Sequence, residues 1–210
     1  AAFVLPILHQ IITLIEDKTI SKKELKCMII APTRELAIQI DQFIEEVCKY
    51  SNVRHAVIYG GVDLDQQINL LKKIHPQILV TTPGRFLDIY GYKFLTLKHL
   101  KFLVLDEADR MFDLGFQKEL NNIFKLLPRS IQTLLFSATL TENIKTIAKA
   151  ILRKPVYIEV SPSASTSVQI EQSIYPVDVE NKINLMIYLI KKLRPKSMIV
   201  FTKTKAGADE

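Results

Sequence analysis

Short apolar runs alternate with longer amphipathic stretches along most of this chain. The apolar runs occupy positions 27–31, 53–59, 77–81, 102–105 and 132–136. Each run has the length of a β-strand, and each leads into a short polar motif followed by a stretch with helical periodicity. Strands that alternate with helices in this way predict an α/β fold, a doubly wound parallel sheet with helices on both faces.

The same patterns predict further elements. A wide apolar stripe predicts a mostly buried helix over residues 1–15, and helical periodicity also marks a stretch within 113–127 and the stretch 181–193. Additional apolar runs predict strands at 156–160, 170–177 and 197–201.

A run of small polar residues divides the chain. Residues 161–167 are Ser-Pro-Ser-Ala-Ser-Thr-Ser, a composition typical of a flexible linker. A piece of about 40 residues normally buries too little surface to fold alone. We therefore predict a first domain at 1–160, a linker at 161–168 and the incomplete start of a second α/β domain at 169–210.

Composition narrows the class of protein. The 210 residues are 48% hydrophobic, which allows a sizeable core and argues against a disordered chain. The net charge of +6 suits a polyanionic partner without proving one. No apolar run has transmembrane length, so we expect no membrane partner. Cys27 and Cys48 lack metal-ligand spacing and are typical of core thiols in a reducing, cytoplasmic compartment.

The run at 102–105 leads directly into three carboxylates, Asp106, Glu107 and Asp109. Carboxylates beside buried apolar surface are costly unless they are paired, hydrogen-bonded or bound to a metal. At the end of a strand such acids can hold Mg²⁺, often through water, while a neighbouring carboxylate activates a water molecule. A solvated acidic turn between a strand and a helix is the alternative.

Three other motifs follow strands and are suited to phosphate. Free N–H groups at helix starts bind phosphates, arginine adds charge, and glycine lets a sugar-phosphate chain come close. Helix caps and an ordinary turn explain the same residues without any ligand. The motifs are Pro32-Thr33-Arg34, Gly60-Gly61 and Thr82-Pro83-Gly84-Arg85.

A fifth motif, Ser137-Ala138-Thr139, follows the run at 132–136. Its hydroxyl groups are candidates to reach the acidic cluster and to couple it to the rest of the edge. Thr139 and Glu142 also have the spacing of a helix-capping box, which requires no function. The sequence leaves both interpretations open.

Taken in order, these motifs resemble those of the DEAD-box ATP-dependent RNA helicases. The resemblance covers essentially the whole chain, and the surrounding sequence looks most like the RhlE-type branch of the bacterial members. The start, AAFVLPIL, resembles the helix that follows the family's phosphate-binding loop, and IVFTKTKAGAD resembles a motif of its second domain. The matching motifs are PTRELA at 32–37, GG at 60–61, TPGR at 82–85, DEAD at 106–109 and SAT at 137–139.

The resemblance implies an enzyme with two RecA-like domains that clamp ATP, Mg²⁺ and RNA between them and couple ATP hydrolysis to the remodelling of RNA duplexes. By this resemblance Asp106 would bind Mg²⁺ through water, and Glu107 would orient or deprotonate the attacking water. Asp109 would couple to Ser137 and Thr139. The residues along the RNA backbone would be Pro32, Thr33, Arg34, Gly60, Gly61, Thr82, Pro83, Gly84 and Arg85.

One element of the family pattern is missing. The sequence contains no G-x-x-x-x-G-K-[S/T] phosphate loop. In the family's layout this loop would precede residue 1, and the arginine-bearing motifs of the second domain would follow residue 210. We therefore expect the chain alone to bind ATP poorly and not to unwind RNA, because positioning and charge stabilisation supply nearly all of phosphoryl-transfer catalysis.

Two other functions fit parts of the pattern. A non-enzymatic RNA-binding module derived from a helicase would keep the phosphate-binding motifs without an ATP site. A translocase on double-stranded DNA is a third possibility, against which the DEAD tetrad argues. We expect residues 1–160 to bind RNA weakly and in a salt-sensitive manner. Changing Arg34 or Arg85 to alanine should lower the affinity and flatten its salt dependence.

Overall fold

The computed structural model describes residues 2–17, 24–160, 171, 173–204 and 206–209. The chain divides into two compact units, Ala1–Ala164 and Ser165–Glu210. The first unit contains a parallel sheet of five strands, β1 Cys27–Ile30, β2 His55–Ile58, β3 Ile78–Thr81, β4 Phe102–Leu105 and β5 Gln132–Leu135. Its helices are α1 Val4–Glu16, α2 Arg34–Cys48, α3 Leu64–Ile74, α4 Pro83–Tyr90, α5 Ala108–Asp113, α6 Gln117–Leu126 and α7 Glu142–Ile151.

The strand order in the sheet is β2-β3-β1-β4-β5, and every neighbouring pair is parallel. The five apolar runs of the sequence therefore form the five strands, each within the predicted range. The predicted fold class is confirmed: the first unit is a RecA-like α/β domain with a doubly wound parallel sheet.

Side chains that alternate along each strand supply two separate cores. In β4, Leu103 contacts the core on one face of the sheet and Val104 the core on the other, and both are fully buried. Helices α1 and α2 cover the face of Val104, whereas α3 to α7 cover the face of Leu103. This two-sided burial explains why the inner strands β1 and β4 are continuous apolar runs rather than alternating ones.

The helix after the acidic motif starts earlier than the sequence pattern indicated. Helix α5 begins at Ala108, and a break around Gly115 separates it from α6. Gly115 has φ +83°, a left-handed conformation that glycine adopts without steric cost. The predicted helix within 113–127 thus corresponds to α6, and the acidic motif itself lies at the start of α5.

The strand predicted at 156–160 is wrong. These residues form no strand, and Val156, Ile158 and Val160 are almost fully exposed. A β-strand needs a neighbour to pair its backbone groups, and an apolar run shows only that pairing would be favourable. The composition of this run therefore did not suffice to make it a strand.

The second unit contains a single turn of 3-10 helix at Val179–Asn181, followed by α8 Lys182–Leu193 and α9 Ala206–Asp209. Helix α8 agrees with the predicted helix at 181–193. The strands predicted at 170–177 and 197–201 are absent from the described residues of those ranges. Residues 170 and 172, and the predicted linker at 161–168, lie outside the described residues. The assignment of 169–210 to the start of a second RecA-like domain stays a prediction.

Candidate functional site

The carboxyl ends of all five strands lie level at one edge of the sheet. In the register of the ladders, Ile30 is paired with Thr81 on one side and with Leu105 on the other. Ile58 pairs with Thr81, and Leu105 pairs with Leu135. Because each of these residues is the last of its strand, the five polar motifs that follow them share this edge, as predicted from the sequence.

The strand order sorts the motifs along this edge. Gly60-Gly61 follows β2, the motif at 82–85 follows β3, and Pro32-Thr33-Arg34 follows β1, so the three phosphate-type motifs are neighbours. The acidic motif follows β4, and the motif at 137–139 follows β5. After β3 the chain crosses to the other side of β1 to form β4, and open α/β sheets bind ligands at such switch points.

Asp106 is the first residue beyond β4 and is half-buried at this switch point. Its backbone N–H donates to the Ile30 carbonyl at 3.0 Å, and its Oδ1 accepts from the Glu107 N–H at 3.0 Å. Burial raises the pKa of Asp106 above its ordinary value, and the charge of Glu107 raises it further, whereas the Glu107 N–H lowers it. The carboxylate is therefore a desolvated anion that a cation would stabilise.

Glu107 stands in a strained turn between β4 and α5. Its φ of +48° and ψ of +53° are left-handed, which costs a residue with a side chain about 1–2 kcal/mol. The peptide group that follows Glu107 is held by a hydrogen bond, in which the Ala108 N–H donates to the Phe136 carbonyl at 2.9 Å. The Glu107 carboxylate is partly exposed and accepts from Arg110 Nη1 at 3.1 Å. The turn thus aims this carboxylate outward at the sheet edge.

Asp109 links the acidic motif to the motif after β5. Its Oδ2 accepts from both the backbone N–H and the hydroxyl of Thr139, each at 3.0 Å, and the Ser137 hydroxyl donates to the Thr139 carbonyl at 2.7 Å. The capping-box interpretation of Thr139 is wrong, because Thr141 is the N-cap of α7 and accepts from the Ile144 N–H. The Thr139 hydroxyl therefore reaches the acidic cluster, which was the other interpretation.

Arg34 is the exposed cation on the opposite half of the edge. Thr33 is the N-cap of α2 and accepts from the Leu36 N–H at 3.3 Å, so Arg34 is the first residue of that helix. The Arg34 guanidinium lies 4.9 Å from the centre of the Tyr59 ring. Its Nη1 is 4.0 Å from the position that a Cβ on Gly61 would occupy, and Gly61 has φ +84°.

The structure places Arg85 differently from Arg34. Thr82 is the N-cap of α4 with Pro83 at its first position, and the Arg85 side chain is only 8% exposed. Its Nη1 donates to Gln67 Oε1 at 3.0 Å and its Nη2 to the Val62 carbonyl at 2.8 Å. The sequence pattern did not identify Gln67, because a glutamine on an amphipathic helix carries no distinctive signal.

Exposure separates the predicted RNA-contacting residues. Arg34, Gly60 and Gly61 are exposed, and Thr33 and Gly84 are half-buried. The buried members are Pro32, Thr82, Pro83 and Arg85. Contact of all nine with RNA stays a prediction, and the exposed three are the most accessible to a ligand.

Substituting Asp106 by asparagine is expected to stabilise the fold by about 1 kcal/mol near neutral pH. The raised pKa means that folded Asp106 holds its proton more tightly than the unfolded chain does, so its ionisation lowers stability as pH rises through the raised pKa. Asparagine removes the desolvated charge and keeps an oxygen for the Glu107 N–H. Urea unfolding at neutral and acidic pH measures the gain, which should disappear at acidic pH.

The exposed Asp113, at the end of α5, provides a matched control. Asp113→Asn should change the free energy of unfolding by less than about 0.5 kcal/mol, as is usual for surface positions. Equal or lower stability of Asp106→Asn at neutral pH would show that the Asp106 charge is not a cost to the fold.

Comparison with known proteins agrees with this geometry. The family model for the DEAD/DEAH box helicase matches residues 1–147. The DEAD-box ATP-dependent RNA helicase CshA of Bacillus cereus is 40% identical over all 210 residues, which correspond to 38% of its own length. The DEAD-box ATP-dependent RNA helicase RhpA of Helicobacter pylori is 39% identical over the same span, 41% of its length.

The fold and the edge define a RecA-like domain with an acidic motif at the switch point of its sheet. The chain belongs to the DEAD/DEAH box helicase family. It spans about two-fifths of the length of the curated relatives it matches. Membership of the RhlE-type branch stays a prediction.

Proposed function

We propose that this chain supplies the Mg²⁺-binding acids and one wall of the RNA site of an ATP-dependent RNA helicase. The observation that carries the proposal is the sorting of motifs along the sheet edge. Neutral and basic phosphate-type motifs occupy the ends of β2, β3 and β1, and the acids occupy the end of β4. An extended polyanion is suited to the first half, and a metal-bound triphosphate is suited to the second.

The acidic half fits ATP with Mg²⁺. Within the described residues no group of three or more histidine, cysteine or acidic side chains is arranged to hold a metal ion alone. Mg²⁺ usually keeps several waters and takes one or two carboxylates together with phosphate oxygens, so the half-buried oxygens of Asp106 suffice. When bound, Mg²⁺ would neutralise phosphate charge.

Glu107 is positioned to act on the attacking water at the acidic half of the edge. Its partly exposed carboxylate would accept a proton from the attacking water or orient that water, and the ion pair with Arg110 would hold its side chain in place. Asp109 would transmit the position of this turn to the Ser137–Thr139 segment through its two bonds to Thr139.

RNA would lie across the phosphate-type half of the edge. Arg34 offers an exposed guanidinium beside Gly60 and Gly61, which present backbone with no side chain in the way. Contacts of this type fix the sugar-phosphate backbone and carry no base sequence, so we propose binding that is tolerant of sequence.

Arg34→Ala is expected to weaken binding of a single-stranded oligouridylate by about three- to tenfold and to reduce the slope of log affinity against log salt by about 1. The reason is the loss of one phosphate contact. Fluorescence anisotropy over a series of salt concentrations measures both quantities. Arg129→Ala is the control, since Arg129 is also exposed but precedes β5 at the opposite edge of the sheet. Identical slopes for the two variants would remove Arg34 from the RNA site.

A non-enzymatic RNA-binding module is the second candidate function. It requires only the exposed Arg34, Gly60 and Gly61 and no ATP site. Both candidates share the RNA wall and differ in ATP hydrolysis, which an assay of phosphate release measures.

We also propose a cytoplasmic location. Cys27 and Cys48 are both buried and form no disulfide with each other, as suits a reducing compartment. Within the part of the chain that the structure describes, no helix has the length and apolar character needed to cross a membrane.

A further inference from the structure

The charged side chain of Arg85 is buried inside the protein. Its guanidinium is buried under the edge of the sheet and donates to two acceptors on a different part of the chain, Gln67 Oε1 and the Val62 carbonyl. The Asp88 carboxylate is the nearest acid described for it, 3.9 Å from Nε and itself mostly exposed. A buried cation is tolerated only where hydrogen bonds replace its water, so these two bonds are what keep Arg85 in place.

The two hydrogen bonds join α4 to α3 and to the loop that precedes α3. Arg85 lies in the first turn of α4, Val62 lies in the loop that follows Gly60-Gly61, and Gln67 is a buried residue of α3. The guanidinium presents its donors in a rigid planar fork, which suits two acceptors in fixed directions. We call this arrangement of Val62, Gln67 and Arg85 the loop brace.

The loop brace controls the backbone on which Arg34 depends. Tyr59, whose ring lies under the Arg34 guanidinium, directly precedes Gly60. Gly61, next to Arg34 Nη1, has a left-handed backbone and directly precedes Val62. The segment 59–62 is thus held at Val62 by Arg85, contacts Arg34 through the Tyr59 ring and lies near Arg34 Nη1 at Gly61.

We propose that Gln67 and Arg85 are positioning residues for RNA binding: the loop brace holds segment 59–62 in the conformation that presents Gly60, Gly61 and Arg34 to the RNA backbone. The inference rests on the proposed RNA site. It differs from the sequence-based expectation, in which Arg85 itself contacts phosphate. Arg85 here acts through geometry, so its substitution changes affinity without changing the number of phosphates neutralised.

Four variants test the loop brace in the 210-residue chain. Gln67→Leu keeps the volume of the side chain and removes the acceptor, and Arg85→Lys keeps the charge and removes the fork. Gln67→Glu keeps an acceptor for Arg85, and Arg34→Ala removes an exposed charge. Two readouts are needed: hydrogen exchange of the backbone amides of 60–64 without RNA, and the salt dependence of oligouridylate binding.

Gln67→Leu and Arg85→Lys are expected to accelerate exchange at 60–64 and to weaken RNA binding by about tenfold, with the salt slope of the unsubstituted chain. Gln67→Glu should retain most of the RNA affinity and most of the exchange protection of the unsubstituted chain. Arg34→Ala should lower the slope and leave exchange at 62–64 unchanged. Thermal unfolding of each variant verifies that the sheet remains folded.

Three results would overturn the inference. If Arg85→Lys binds RNA as tightly as the unsubstituted chain does, then charge alone is required at this position, as expected of a residue that contacts phosphate. Unchanged exchange in folded Gln67→Leu would show that no brace exists. Accelerated exchange without oligouridylate binding by the unsubstituted chain would refute the proposed RNA site and leave the brace a purely structural contact.

Discussion

The 210-residue chain is expected to hydrolyse ATP at least about 10³-fold more slowly than an intact DEAD-box helicase, with or without RNA. Catalysis of phosphoryl transfer consists almost entirely of positioning the phosphates and stabilising their charge. The acidic half of the edge supplies Asp106 and Glu107, but the sequence contains no G-x-x-x-x-G-K-[S/T] loop to grip the β- and γ-phosphates. Acids that bind a metal and water have little effect when the phosphates are not held beside them.

Phosphate release measured with saturating oligouridylate tests this expectation. The CshA helicase of Bacillus cereus, which is 40% identical to this chain, serves as the reference under the same conditions. Glu107→Gln in the present chain measures the background, because residual turnover that survives this change does not come from the site. RNA-stimulated turnover close to that of the reference, and lost in Glu107→Gln, would contradict the expectation.

Leu103→Ala is expected to lower the free energy of unfolding of the first unit by about 2–5 kcal/mol. Leu103 is the second residue of the internal strand β4 and is fully buried between the sheet and the helices on its face. Truncation removes buried apolar surface and leaves a cavity that a strand bonded on both sides cannot close. Urea unfolding followed by circular dichroism measures the loss.

Leu114→Ala is the matched control for this change. Leu114 follows α5 close to the acidic motif, but its side chain is 52% exposed. The same chemical truncation there should cost less than about 1 kcal/mol, because little buried surface is lost. A loss of similar size in both variants would mean that the core beneath β4 does not determine the stability of the unit.

Hydrophobic patterning predicted the sheet because its inner strands β1, β3 and β4 are buried on both faces. A run such as 102–105 has one low-energy location, the centre of a sheet covered on both sides, and local sequence suffices to indicate it. The run at 156–160 has equally apolar residues, yet its backbone has no strand to pair with in the described structure. Pairing is a relation between distant segments, so local apolarity could not decide it.

The candidate site was predictable where topology alone brings residues together. Parallel strands place their carboxyl ends at one edge, and this rule made Thr139 a candidate to reach the acidic cluster, with a helix cap as the open alternative. The loop brace was not predictable, because the burial of Arg85 depends on where the tertiary fold places Gln67 of α3 and the Val62 carbonyl. An arginine after a glycine has the same sequence signature whether it faces solvent or Gln67.

Strand β1 separates the end of β3 from the end of β4, and thus the motif at 82–85 from the acidic motif, by the width of one chain. The Ile30 carbonyl accepts from the Asp106 N–H, and the next N–H, that of Ala31, donates to the Thr81 carbonyl at 2.9 Å. Since neighbouring strands lie about 4.8 Å apart, the ends of β3 and β4 are about 10 Å from each other. The single peptide group between Ile30 and Ala31 is therefore hydrogen-bonded to both neighbours. A displacement of the end of β3 or of β4 strains a bond to the same peptide that also holds the other strand.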